Sequence, residues 1–219
     1  MRTAPEPEDL MSAIRQGRVR VTARTRALAL ILHGGRAVTP QPQRRRDVSY
    51  LRMLPFAPTV WRVSRGRVAP VLVHNSDGGW IAASGSGVEQ TRLLARRLAE
   101  RYDRPVVLLG HSSGGWAALR AGGEDAVIGS VALAPWVGER EPVEHLRDKV
   151  VRVIHGEADA VCSPQRSRQL VERLHALGGD ATYLGIEGGG HALLDRPWRW
   201  HQLAAGAVLE VVERAEGLG

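Results

Sequence analysis

Cysteine, lysine and phenylalanine are almost absent from this sequence, which contains one of each. The single cysteine, Cys162, cannot form an internal disulfide, so nothing in the sequence indicates an oxidising compartment. No apolar run approaches the length of about 18 residues that a membrane-spanning helix needs. The N-terminus is polar and acidic with no apolar segment behind it. We therefore expect no signal peptide and a cytoplasmic protein.

Aromatic residues are also scarce, at 5% of the chain, whereas the formal net charge is +7. The arginines are scattered, with one short cluster at Arg44, Arg45 and Arg46. A positive chain attracts anionic partners in general, but a nucleic-acid surface needs a basic patch interleaved with aromatic residues. The sequence has no such patch and therefore predicts no nucleic-acid partner and no membrane partner. It leaves the oligomeric state open.

Apolar strands alternate with amphipathic helices from residue 19 to the end of the chain. The predicted strands cover residues 19–21, 27–32, 68–73, 105–109, 126–133, 150–154 and 181–186. The predicted helices cover an amphipathic part of 36–56 bounded by Pro55, and then 88–102, 114–120, 164–177 and 197–213. This order predicts an α/β fold, a mostly parallel sheet with helices on both faces and no large cap domain. We expect a single domain over residues 19–219, after an N-terminal lead-in at residues 1–18.

A G-x-S-x-G sequence occurs once in the chain, at residues 110–114, between an apolar strand and a helix. This is the context that a nucleophile elbow requires. Ser112 would sit on a tight turn, and glycines two residues before and after it avoid Cβ clashes. The helix that begins at Gly114 points its first N–H groups toward a developing oxyanion. The alternative is a glycine- and serine-rich loop that serves only as a turn.

A serine hydroxyl needs a base, and in this arrangement the chain order is serine, acid, histidine. Asp159 follows one predicted strand and His191 follows the next, after three glycines that let the loop curl toward Ser112. Each residue alone could be an ordinary loop residue. All three lie in the required order after strands, so Ser112, Asp159 and His191 are the predicted catalytic residues.

Other side chains compete for these roles. Glu157 lies two residues nearer the strand end than Asp159, and Glu139 and Glu141 are weaker alternatives for the acid. Cys162 lies outside the elbow, so we expect it to have a structural or incidental role rather than to be the nucleophile.

The apolar strand that ends at Leu32 runs into a His-Gly-Gly loop, which suits a second oxyanion donor. The backbone N–H of Ser113 would be one donor and that of Gly35 or Arg36 the other. The alternative is a glycine turn between a strand and a helix.

These motifs resemble the α/β-hydrolase superfamily in their order along the chain. The His-Gly-Gly loop, the GHSSGG elbow, the HGEAD loop and the GGGH loop match it over about residues 19–215, and the HGEAD pattern favours Asp159 over Glu157. The chain resembles compact, lidless bacterial members that are dienelactone-hydrolase-like. True dienelactone hydrolases would have cysteine at position 112, and haloalkane dehalogenases aspartate. This chain has serine at that position, and its difference from both of these families favours ester chemistry.

The resemblance implies a serine hydrolase that cleaves a small ester or thioester through an acyl-enzyme, with no metal and no cofactor. Candidate substrate-binding residues are Arg36, Trp80, His111 and Trp136, each at a strand end or in an adjoining loop. Two other functions stay open. One is an acyltransferase or cyclase that uses the same triad, and the other is a non-catalytic binding protein of the same fold.

Overall fold

The computed structural model describes residues 14–35, 47–75, 80–81 and 86–217. This part of the chain forms a seven-stranded sheet in the order β1-β3-β2-β4-β5-β6-β7. The strands are β1 (Ile14–Gln16), β2 (Ala27–Leu32), β3 (Val68–Asn75), β4 (Val106–His111), β5 (Val127–Leu133), β6 (Val150–Gly156) and β7 (Ala181–Ile186). The six strands β2 to β7 are parallel, and β1 pairs antiparallel with β3. The predicted α/β fold with a mostly parallel sheet is confirmed.

The two most apolar strands lie at the centre of the sheet. Every residue of β2 and β4 is buried. β2 pairs with β3 and β4, and β4 pairs with β2 and β5. A strand that has neighbours at both edges and helices on both faces buries all its side chains, which explains a continuous run of valine, leucine and isoleucine.

Six helices cover the two faces of the sheet in the described residues. They are α1 (Val48–Leu51), α2 (Phe56–Val63), α3 (Ser86–Tyr102), α4 (Ser113–Ala121), α5 (Pro164–Ala176) and α6 (Pro197–Gly217), with a short 3-10 helix at Glu144–Leu146. Apolar residues of α2 and α6 pack on one face, whereas those of α3, α4 and α5 pack on the other. None of these helices combines the length and the apolar character needed to cross a bilayer.

Two predictions for the first part of the chain were wrong. Residues 19–21 do not form a strand, and the first strand, β1, instead lies inside the segment that we took as a lead-in. The structure describes the segment of the helix predicted within residues 36–56 only from residue 47 on, and this helix is the short α1. A further helix, α2, begins directly after Pro55, which we had taken as a boundary. Proline is tolerated at a helix start because the first N–H groups have no intrahelical partner.

The carboxyl ends of the parallel strands lie at one edge of the sheet. The chain leaves β2 at His33, β4 at Ser112, β6 toward Asp159 and β7 toward His191. Ligands bind at this edge in open parallel sheets. The fold therefore places all three predicted catalytic residues at the edge where a ligand would bind.

Candidate active site

Ser112 lies in a strained turn between β4 and α4. Its backbone has φ 55° and ψ −120°, a conformation that non-glycine residues rarely adopt. A Cβ atom at Gly110 would overlap the carbonyl oxygen of Gly114, and one at Gly114 would overlap that of His33. Glycine at both positions is therefore required for the close approach of β4, α4 and the loop after β2.

The structure brings His191 and Asp159 to Ser112. The Ser112 Oγ atom lies 3.0 Å from His191 Nε2, and His191 Nδ1 lies 2.7 Å from Asp159 Oδ2. Since a carboxylate only accepts, Nδ1–H donates to Asp159, which leaves Nε2 as the acceptor for the serine hydroxyl. This is the hydrogen-bonded order of a nucleophile, a base and an orienting acid.

Asp159 is held in its ionised form by several donors. Its side chain is fully buried, and Oδ1 accepts the backbone N–H groups of Val161 and Cys162, each at 2.8 Å. Burial opposes ionisation, but the N–H of Cys162, the side chain of His191 and the N–H of Val161 together lower the pKa of Asp159. The carboxylate keeps its charge beside the imidazole.

A second imidazole, that of His155, also contacts Asp159. His155 Nε2 lies 3.2 Å from Asp159 Oδ2 and 3.2 Å from the Cys162 carbonyl oxygen, and both atoms are acceptors. Nε2 therefore carries the proton, and Nδ1 accepts the Ser167 hydroxyl at 2.8 Å. Burial lowers the pKa of His155, so the ring is neutral. A continuous chain of hydrogen bonds thus runs from Ser167 on α5 to Ser112.

His111 lies behind the site rather than in it. Only 1% of the residue is exposed, and its Nε2–H donates to the His191 carbonyl oxygen at 2.9 Å. Burial lowers its pKa to about 3, so the ring stays neutral. The prediction that His111 binds substrate is wrong, because this side chain supports the loop that carries His191.

Gly35 and Ser113, the predicted oxyanion donors, lie next to each other. The Ser113 hydroxyl donates to the Gly35 carbonyl oxygen at 3.3 Å. Ser113 is the first residue of α4, and the first i to i−4 bond of this helix runs from Trp116 N–H to Ser112 O at 3.0 Å. The N–H of Ser113 therefore precedes the helical hydrogen bonds, at the positive end of the helix dipole.

Of the remaining predicted substrate residues, Trp80 is not at the site. Its side chain is fully buried in the core with 0% exposed, and its indole N–H donates to the His33 carbonyl oxygen at 2.7 Å. The prediction was wrong because the indole both fills the core under the loop and satisfies a backbone acceptor there. Arg36 lies outside the described residues.

Trp136, in contrast, lies beside Ser112. Its backbone N–H donates to the Ser112 carbonyl oxygen at 3.1 Å. The residue is 40% exposed, and its ring meets the Trp116 ring edge-on at a centroid distance of 6.3 Å. Its position is consistent with a wall of a substrate pocket.

The other candidate acids contact residues other than His191. Glu157 accepts from Arg168 at 2.6 Å and from the Tyr183 hydroxyl at 3.0 Å. Glu139 pairs with an exposed arginine of α5, and Glu141 is a buried acceptor for Trp116 and an ion-pair partner of Arg120. Of the four acids that we considered, Asp159 is the one that contacts His191.

Cys162 lies closer to the site than we expected. Its backbone N–H donates to Asp159 Oδ1, and burial raises the pKa of its thiol to about 12. A protonated thiol is a poor nucleophile. Sequence reasoning did not identify the contact of His155 with Asp159, although His155, in β6, is the first residue of the HGEAD motif.

The described residues hold no group of three or more His, Cys, Asp or Glu side chains placed to ligate a metal ion.

The chain matches no family model and no curated protein in sequence. In structure it is similar to a serine hydrolase homologue from Coxiella burnetii, at TM-score 0.66 and 13% identity over 88% of this chain and 89% of that one.

Two further solved structures are similar over most of their length. Est1E from Butyrivibrio proteoclasticus has TM-score 0.64 and 13% identity over 87% of this chain and 90% of that one. A CIB-like hydrolase from Thermoplasma acidophilum has TM-score 0.61 and 16% identity over 90% and 92%. The chain therefore has the α/β-hydrolase fold.

Proposed function

We propose that this chain is a serine hydrolase that cleaves a small ester or thioester through an acyl-enzyme on Ser112. The observation that carries the proposal is the hydrogen-bonded series Ser112, His191, Asp159, with separations of 3.0 and 2.7 Å. The proposal is also supported by structural neighbours that are named esterases.

In the first half-reaction, Ser112 Oγ attacks the substrate carbonyl carbon and its proton passes to His191 Nε2. The ionised Asp159 stabilises the resulting imidazolium and keeps it in one tautomer. The N–H groups of Ser113 and Gly35 donate hydrogen bonds to the carbonyl oxygen as negative charge develops on it. A single donor of this kind contributes about 3 kcal/mol to transition-state stabilisation.

Collapse of the tetrahedral intermediate breaks the bond to the alcohol or thiol, which leaves with the proton from His191. Water then attacks the acyl-enzyme. His191 takes a proton from the water and returns one to Ser112, which releases the acid. Between β5 and β6 the described chain holds only a short 3-10 helix. This connection is too short for a cap, which favours small or exposed esters over long buried lipids.

The experiment is labelling with a fluorophosphonate together with hydrolysis of 4-nitrophenyl acetate. We expect Ser112→Ala to abolish labelling and to lower kcat/KM by a factor on the order of 10⁴ or more. Cys162→Ala is the matched control, since it removes the one thiol of the chain and should keep the label. Wild-type protein that neither labels nor turns over ester would overturn the proposal in favour of a binding protein.

A further inference from the structure

His155 is a fully buried histidine that belongs to the sheet rather than to a loop. It lies in β6, between β5 and β7, with 0% of the residue exposed, and it is in register with Gly185 of β7. Ser167 on α5, also 0% exposed, donates its hydroxyl to His155 Nδ1 at 2.8 Å. The imidazole is therefore held by a strand through its backbone and by a helix through its ring.

The Asp159 carboxylate, in contrast, belongs to the loop that follows β6. An ionised carboxylate has about four acceptor positions, and four N–H groups donate to this one. They are the backbone N–H groups of Val161 and Cys162 at Oδ1, and the ring N–H groups of His191 and His155 at Oδ2. Three of these donors lie in loops, so His155 is the donor that ties the carboxylate to the sheet.

The buried pair of His155 and Ser167 has a cost that two apolar side chains would not have. Polar groups that leave water must recover their hydrogen bonds inside the protein, and an apolar pair of the same shape can be equally stable. Within the described residues, the hydrogen bonds of this pair lead to the Cys162 carbonyl oxygen and to Asp159 Oδ2. What the polar pair adds over an apolar one is thus a hydrogen bond to the charged acid of the site.

We propose that His155 is a positioning residue, which anchors Asp159 Oδ2 to β6 at the point where this oxygen accepts from His191 Nδ1–H. This inference rests on the proposed hydrolase function and adds a residue to its machinery. The Nε2–H of His155 also makes Oδ2 a weaker base, because hydrogen bonds to a carboxylate favour its charged form. The Nδ1 proton therefore stays on His191 while Nε2 takes the proton of Ser112.

The test uses two variants at position 155 that have similar size and differ in their donors. His155→Gln supplies two N–H groups for the two acceptors, whereas His155→Leu supplies none. With 4-nitrophenyl acetate we expect His155→Leu to lower kcat/KM by about 10- to 100-fold, mainly through kcat. His155→Gln should keep most of the activity. Equal activities of the two variants would overturn the inference.

His145→Leu is the matched control for these kinetics. It removes a half-buried imidazole whose Nε2–H donates to the Leu119 carbonyl oxygen at 3.0 Å, near the carboxyl end of α4. The loss of a histidine and of one hydrogen bond to a carbonyl group should there leave kcat/KM unchanged.

A double-mutant cycle separates positioning of the acid from support of the fold. Since His155 acts through Asp159, its loss should matter little once the carboxylate is gone. In the Asp159→Asn background we expect His155→Leu to change kcat/KM by less than about threefold. A loss by the same factor in both backgrounds would indicate a structural role and would sink the inference.

NMR of protein with isotope-labelled histidine tests the arrangement independently of activity. At neutral pH we expect the ring of His155 in its neutral Nε2–H tautomer. The His191 Nδ1–H resonance should shift in His155→Leu and stay near its wild-type position in His155→Gln. A proton on Nδ1 of His155 in the wild type would overturn the inference, even where His155→Leu does not fold.

The same measurements separate this inference from the proposed function. If no ester is cleaved but the NMR signals of His155 and His191 are as expected, the hydrolase proposal fails and the anchoring of Asp159 stands. If wild type and His155→Leu cleave the ester equally well, the hydrolase proposal stands and the anchoring role fails.

Discussion

Asp159 orients two imidazoles at once, because its Oδ2 atom accepts from both His191 and His155. The two rings have different surroundings. His155 is fully buried and neutral between Ser167 and Asp159, whereas His191 is partly exposed and faces the serine. Residue by residue, the site thus combines one imidazole that faces Ser112 with groups whose protonation is held constant by burial and by hydrogen bonds.

Gly34 shows how little room the loop after β2 has. A Cβ atom there would lie 3.0 Å from His111 Nδ1 and 3.2 Å from Ser112 Cβ, and neither neighbour is a flexible side-chain end. In Gly34→Ala we expect the loop to shift by a few tenths of an ångström and move the Gly35 N–H away from the oxyanion. Such a shift should lower kcat by about 10- to 100-fold and change KM much less.

Steady-state kinetics measure the effect of Gly34→Ala, and Gly206→Ala in α6 is the matched control. A Cβ at that position meets nothing within 4 Å, so kcat should not change and the helix should gain slightly in stability. Full activity in Gly34→Ala would show that the Gly35 N–H is not an oxyanion donor.

At the scale of elements, α5 links the surface of the protein to the site. It carries Ser167, whose hydroxyl donates to His155, and it begins with Ser163 as N-cap and Pro164 as its first residue. The Ser163 side chain accepts the N–H of Arg166 at 3.3 Å. The start of the helix is therefore set by local chemistry, and its position determines where Ser167 lies.

Loss of this cap should be measurable by urea denaturation. Ser163→Ala leaves an N–H without its acceptor and should lower the free energy of unfolding by about 1 kcal/mol. Ser163→Asp restores an acceptor and adds a negative charge at the positive helix end, so it should recover that loss. Equal stability of the alanine and aspartate variants would show that the cap contributes nothing.

For the whole molecule, buried neutral histidines predict a loss of stability in mild acid. Burial lowers the pKa of His33 to about 4 and that of His111 to about 3, whereas both titrate near 6.5 in the unfolded chain. The unfolded state therefore binds more protons below about pH 6.5. Their contribution to stability is fully present above that pH and is lost as the pH falls toward the folded values. Each histidine lowers the free energy of unfolding by about 1.4 kcal/mol per pH unit in that window.

Thermal unfolding between pH 7 and pH 4.5 tests this prediction. The melting temperature should fall steadily with pH, and the fall should be shallower in His33→Gln. Asp159 has a dependence of the same sign at lower pH, since its lowered pKa means that its contribution is also lost as the pH falls, but only below about pH 4. A melting temperature that is constant across the window would contradict the low pKa values of the two histidines.

Short-range sequence patterns predicted much of this architecture. Continuous apolar runs predicted β2 and β4, because a strand buried on both faces needs an apolar residue at every position. The glycines around Ser112 predicted the elbow, because a Cβ at Gly110 or Gly114 would overlap backbone. The position of Ser112, Asp159 and His191 each after a strand predicted one common edge, since parallel strands bring their carboxyl ends together.

Only the tertiary structure decided which side chains face that edge and which lie behind it. Trp80, His111 and Trp136 all lie at or just after strand ends, yet the first two are buried and the third is exposed. The role of His155 had no sequence signal of its own, because it depends on how the ring packs between Asp159 and Ser167. Burial and counter-ions are properties of packed neighbours, whereas the sequence alone specifies strand periodicity, turn sterics and the order of reactive groups.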